Sequence, residues 1–250
     1  MNPVPRTGVH SILLDIEGTT TPISFVYDVL FPYVRTNLRQ HLETRAAHAD
    51  YQRVLESLRE DRDANIASGL DIPPRRDGSS ADELASIARY AEWLMDRDSK
   101  TAPLKQLQGL IWEDGYARGE LVADVFPDVP PAFKRWRERG ISIGIFSSGS
   151  VLAQQLLFKH STAGDLTPML RWYFDPTVGA KTHADSYERI AAQIGEPPSS
   201  ILFISDVTSE LDAAGKSGMQ TRLSVRPGNK PVPAGHGHHA ITSFDEVTVP

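Results

Sequence analysis

Two carboxylates, Asp15 and Glu17, stand two residues apart directly after the apolar run Ser11-Ile12-Leu13-Leu14. A carboxylate can attack phosphorus and form an acyl phosphate. A second acid beside it can protonate the leaving oxygen and then activate water. Ser147 and Ser148 follow the apolar run 141–146, Asp206 follows the run 201–204, and Lys181 lies in the loop Val178-Gly179-Ala180-Lys181. Hydroxyls, amides at a helix N-terminus and an ammonium can hold phosphate oxygens while charge redistributes. Magnesium takes oxygen ligands in an octahedron, commonly one or two carboxylates with phosphate oxygens. Asp15 and Asp206 can supply those carboxylates, and the cation offsets the repulsion between an anionic nucleophile and an anionic phosphate. Together these types point to phosphoryl transfer through an aspartyl-phosphate on Asp15.

Such a set works only if the backbone gathers it. The apolar runs 11–14, 141–146 and 201–204 read as buried parallel strands, with later strands over 220–225 and 240–244 and a shorter one over 171–174. Helical patterns fill the intervals: 131–139 ending at Gly140, 151–159 starting after the N-cap Ser150, 184–194 ending at Gly195, and 209–216 near Gly218. Strand alternating with helix predicts α/β architecture, a doubly wound parallel sheet. In such a sheet ligands collect at the carboxyl ends of the strands, where the reactive side chains stand.

The stretch 20–122 has no strand-like run. Amphipathic helical patterns cover 25–42, 51–62, 84–95 and 104–116, and a polar loop covers 69–80. The expected organisation is a catalytic core over 1–19 and 123–250, with a helical cap over 20–122 inserted after the first strand.

Bulk properties narrow the classes further. The chain has 250 residues, 40% hydrophobic and 23% charged, a mix suited to a packed domain. A net charge of -6 argues against nucleic-acid binding, which needs a basic stripe. No apolar stretch is long enough to span a membrane, and residues 1–10 lack the apolar centre of a signal peptide. There is no cysteine, which excludes disulfides, thiolate metal sites and cysteine nucleophiles, and makes the cytoplasm the default address.

The motif Asp15-Ile16-Glu17-Gly18-Thr19 resembles D-x-D-G-T of the haloacid-dehalogenase-like hydrolases. Ser147, Lys181 and the run 201–206 followed by Glu210 resemble that superfamily's three later motifs, in the same order. Glu17 departs from the usual aspartate. It agrees with a narrower family, the enolase-phosphatases of methionine salvage (acireductone synthases). The stretches 14–23, 101–109, Ser147-Ser148-Gly149-Ser150, Ser205-Asp206-Val207-Thr208 and Val225-Arg226-Pro227-Gly228-Asn229 are similar to that family.

The resemblance implies a bifunctional enzyme, a monomer, acting on the small phosphorylated diketone 2,3-diketo-5-methylthiopentyl 1-phosphate. This is enolised and then dephosphorylated to the aci-reductone. By position, Asp15, Glu17 (through its backbone carbonyl) and Asp206 are implied to bind Mg2+. Ser147, Ser148 and Lys181 are implied to contact substrate, and the helical insert to act as a cap that excludes water.

Plainer readings exist for each residue. Asp15 can end a turn, Glu17 and Lys181 can be solvated, Asp206 and Ser148 can serve helix starts, and Glu210 can be an ordinary first-turn acid. The histidines in Gly235-His236-Gly237-His238-His239 read as a surface loop with no carboxylate nearby. Rival functions are a phosphatase for another small phosphate and a silent phosphate-binding scaffold. A scaffold has no need of Asp15, Glu17, Lys181 and Asp206 together.

Overall fold

The computed structural model describes residues 8–75, 78–232 and 235–248. The expected N-terminal segment 1–7, two residues of the polar loop (76–77) and residues 233–234 ahead of the histidines lie outside the described residues. In chain order the elements are β1 Ser11–Leu14, α1 Phe31–Arg45, α2 Ala49–Ala67, α3 Ser80–Asp96, α4 Ala102–Ala117, α5 Val129–Glu138, β2 Ser142–Phe146, α6 Val151–Lys159, β3 Trp172–Phe174, α7 Ala184–Ile194, β4 Ile201–Ser205, α8 Thr208–Lys216, β5 Gln220–Ser224 and β6 Ala240–Ile241.

The strands form one six-stranded sheet in the order β3-β2-β1-β4-β5-β6, with every neighbouring pair parallel. β1 and β4 are buried along their whole length, as expected of central strands covered on both faces by helices. Leu13 pairs in register with Gly144 on one side and Phe203 on the other. Each buried Leu, Ile or Phe contributes about 1.5–3 kcal/mol of transfer free energy, so these short runs are anchored by their side chains. Parallel pairing also brings the C-terminal ends of β1, β2 and β4 to one edge.

Local chemistry sets the boundaries. Ser150 accepts a hydrogen bond from the Ala153 N–H and caps α6. Gly140, at φ +74°, lets α5 turn out, with Ile141 N–H donating back to the Trp136 carbonyl. The strand expected over 240–244 stops at Ile241. There the Glu246 carboxylate accepts from the Thr242 N–H and hydroxyl and the Ser243 N–H, folding Phe244–Glu246 into a 3-10 turn. The helix expected over 25–42 opens with a π turn, Phe25–Leu30. Pro32 has no N–H to give the Asp28 carbonyl, so the α ladder cannot close there.

The chain divides into two compact units: Tyr27–Leu121, and the segments on either side of it. The first is helical. Leu38, Leu58, Tyr90, Ala91 and Ile111 form part of its interior, and the Trp112 indole N–H donates to the Leu30 carbonyl at 2.9 Å. The second holds the sheet, with Phe133, Trp136, Phe158 and Phe244 packed together beside α5. Among the described residues no helix is long and apolar enough to cross a membrane.

Candidate active site

The sheet unit gathers Asp15, Lys181, Ser205, Asp206 and Glu210. Asp15 follows β1, with its N–H donating to the Ile204 carbonyl across the β1/β4 pair. Its side chain is buried, and Lys181 Nζ donates to Oδ1 at 2.6 Å. The same Nζ lies 2.7 Å from Glu210 Oε2 on the first turn of α8. The Lys181 ammonium therefore bridges two carboxylates. Lys181 is only 8% exposed, and the fully buried Tyr187 hydroxyl donates to its carbonyl at 2.7 Å, fixing the loop that carries it. Burial alone would lower the Lys181 pKa. The charges of Asp15 and Glu210 outweigh that cost and hold it above the usual lysine value.

Ser205, the last residue of β4, joins the site as well; its signal in the sequence is a hydroxyl ending an apolar strand beside Asp206. Its hydroxyl lies 2.9 Å from Glu210 Oε2 and 3.3 Å from Asp15 Oδ2, and it accepts from the Val207 N–H. With one proton to give, it favours the shorter contact to Glu210. Asp206 is half-buried immediately beyond. Burial, then the charges of Asp15 and Glu210, push its pKa up to about 7 against the opposing pull of Lys181. Burial and Asp15 likewise raise Glu210 to about 7. Three carboxylates thus face one ammonium, an excess of negative charge that a hard divalent cation would relieve.

The donor set suits magnesium. Asp15 and Asp206 present carboxylate oxygens at adjacent strand ends, and Glu17 lies in the same turn as Asp15. Among the described residues no three His, Cys, Asp or Glu side chains cluster as metal ligands. A pair of carboxylates with a backbone carbonyl, leaving positions for water and phosphate oxygens, fits Mg2+ better than a metal that needs a full cage of side chains.

Ser147 is buried and Ser148 half-buried in the turn between β2 and α6. Ser147 Oγ accepts from the Gly149 N–H at 3.2 Å. Gln154, a polar residue inside a largely apolar helical run, reaches from α6 to the Gly149 and Phe174 carbonyls at 2.9 and 2.8 Å and steadies this turn. Glu17 is half-buried and forms a bridge with Thr21.

One expectation is corrected. The histidine loop does have a carboxylate close by, because the fold brings Asp212 of α8 to it, with Oδ1 3.0 Å from His238 Nε2. His238 Nδ1 contacts the Thr221 hydroxyl, and His236 Nδ1 accepts from the His238 N–H. Both His238 nitrogens are occupied, so the loop is pinned to the sheet unit and is not arranged as a metal site.

The protein-family model for haloacid dehalogenase-like hydrolases matches residues 9–218. Enolase-phosphatase E1 of Synechococcus elongatus is 49% identical over 98% of this chain and 100% of its own length. Enolase-phosphatase E1 of Drosophila mojavensis is 46% identical over 90% of this chain and 88% of its own. The crystal structure of the UTR4 protein of Saccharomyces cerevisiae superposes with a TM-score of 0.79 at 33% identity, covering 96% of this chain and 100% of that one. CbbY of Rhodobacter sphaeroides, crystallised with xylulose-1,5-bisphosphate, shares the fold at TM-score 0.56 and 14% identity, over 95% and 96% of the two chains.

Proposed function

Because the chain belongs to the haloacid dehalogenase-like hydrolases and, within them, to the enolase-phosphatase E1 family, we propose that Asp15 is the nucleophile of its phosphatase reaction. The enzyme is a phosphatase of methionine salvage that enolises and dephosphorylates 2,3-diketo-5-methylthiopentyl 1-phosphate, releasing the aci-reductone and phosphate. The observation that carries the assignment of Asp15 is its buried carboxylate, gripped on one oxygen by Lys181 at 2.6 Å.

Asp15 attacks phosphorus in line with the departing enediol oxygen, forming an acyl phosphate. Lys181 neutralises charge on the nucleophile and the transferring oxygens, and Ser147 and Ser148 hold the phosphate at the α6 N-terminus. Glu17 protonates the leaving oxygen and then takes a proton from the water that cleaves the acyl phosphate, regenerating Asp15. Asp15, the Glu17 carbonyl and Asp206 would hold Mg2+, which would supply Lewis-acid stabilisation of phosphate charge. Glu210 keeps Lys181 in place between two carboxylates.

Glu17→Gln lowers phosphate release by about 10²-fold or more, measured by coupled phosphate detection. Unaltered release would remove the acid–base role. The concentration of Mg2+ at half-saturation rises as pH falls through about 7, by roughly tenfold per unit where one proton is displaced. The sign follows from Asp206: its raised pKa keeps it protonated below about 7, and the cation must expel that proton. Calorimetric titration of the substrate-free protein between pH 6 and 8 checks this, and a pH-independent affinity contradicts it.

The reaction is tested with the purified protein, the diketo phosphate and Mg2+. Ultraviolet absorbance follows the enediol alongside released phosphate. Both signals are expected, with phosphate release lost on chelation. Release from other small phosphates but not from this one would leave the fold and discard the substrate.

A further inference from the structure

The turn that carries Glu17 is held by residues more than two hundred positions away. The Gly18 carbonyl accepts from Ser224 Oγ at 3.1 Å and from Asn229 Nδ2 at 3.0 Å, and the same amide nitrogen reaches the Ser224 carbonyl at 3.2 Å. The next carbonyl, Thr19, accepts from Arg226 Nε at 3.3 Å. Arg226 is itself stacked between the Phe126 and Phe244 rings. The Gly18 N–H donates to the Thr21 carbonyl at 2.8 Å. The direction of the Glu17 carbonyl, which shares that peptide plane, is therefore set as well.

The Asn229 amide is only half used. Its Oδ1 is buried and, among the described residues, has no hydrogen-bond partner. A Cβ on Gly18 would lie 2.5 Å from Asp206 Oδ2 and 2.8 Å from Asn229 Oδ1. The two acceptors thus converge on one face of a glycine whose φ of +68° already excludes larger residues. A buried amide oxygen without a donor costs about 1–3 kcal/mol. A donor supplied to the space beside Asp206 removes that cost, and water in the hydration shell of a cation is such a donor.

We infer that Asn229 is a positioning residue for the cation: its Nδ2 orients the Glu17–Gly18 turn, and its Oδ1 accepts from a water of the hydration shell beside Asp206. This rests on Glu17 and Asp206 being cation ligands. Partners of this outer kind typically account for about 10–100-fold in metal affinity. Ser224 offers a contrast: it grips the same carbonyl, while the atoms nearest a Cβ on Gly18 belong to Asp206 and Asn229.

The test is calorimetric titration of Mg2+ into substrate-free protein, with turnover measured across Mg2+ concentrations. N229L, which keeps asparagine's branching at Cγ without its polar atoms, is expected to bind Mg2+ at least about tenfold more weakly, with turnover restored by excess Mg2+. S224A is expected to stay within about threefold of the unaltered protein. N229A carries the same expectation as N229L should the leucine variant not fold. Unchanged Mg2+ affinity in the Asn229 variants, or an equal loss in S224A, overturns the inference. An unaltered protein that takes up no Mg2+ overturns the cation reading beneath it.

Discussion

Asp15→Asn is expected to abolish phosphate release, with a loss of at least about 10⁴-fold, while the protein stays folded. The amide has nearly the shape of the carboxylate, so the buried space after β1 stays filled. The amide is a far weaker nucleophile and cannot form an acyl phosphate. It also keeps an oxygen for the Lys181 ammonium, which retains its ion pair with Glu210 at 2.7 Å. Two readouts separate chemistry from folding: single-turnover phosphate release, and capture of a beryllium fluoride adduct by mass and fluoride stoichiometry. The unaltered enzyme should trap the adduct, and the asparagine variant should not. Residual release within tenfold of the original would show that another group attacks phosphorus.

Lys181→Met is the second large effect, and it acts on stability as well as rate. The methionine fills much of the same volume without charge. Asp15, Asp206 and Glu210 are then left in one partly dry region without the ammonium that pulls the Asp206 and Glu210 pKa values down. Removing one member of a buried charge cluster typically costs about 3–5 kcal/mol. Turnover falls by about 10²–10³-fold when a positive group at the transferring oxygens is lost.

The pH dependence gives this prediction its sign. Glu210 and Asp206 have folded pKa values raised to about 7, above those of the unfolded chain. A raised carboxylate favours the folded state only while protonated. Its contribution is present at low pH and is lost as pH rises from the unfolded value towards about 7. Without Lys181 both values rise further. The methionine variant should therefore be most destabilised near pH 8 and recover part of the loss near pH 6. Urea denaturation of both proteins at the two pH values, without added Mg2+, measures it. A destabilisation that is the same at both would mean that Lys181 acts through packing alone.

The comparison of sequence with structure turns on whether information is local. The run Ser11–Leu14 was readable as a strand because three consecutive apolar residues end sharply at a carboxylate. Ser150 as a helix cap and Gly140 as a helix stop were readable for the same reason, since each acts on backbone groups a few residues away. The placement of Asp15, Ser147 and Asp206 at strand ends followed from the strand–helix alternation, which leaves a parallel sheet as the economical arrangement. Even the β6 and first-helix boundaries failed for local causes: the Glu246 cap and the missing N–H of Pro32.

The chain by itself thus determined the fold class and the chemical types at one edge of the sheet, because hydrophobic period and turn chemistry are short-range. Which groups touch was decided only by the tertiary structure. Lys181 meets Asp15 across 166 positions and Asn229 meets Gly18 across 211. Those meetings depend on the order β3-β2-β1-β4-β5-β6, which sets β1 against β4 and the loop after β5 beside both. The raised pKa values of Asp206 and Glu210 were equally beyond the sequence, since burial and Coulomb energy depend on distances between charges and on excluded water, and neither exists until the sheet has packed.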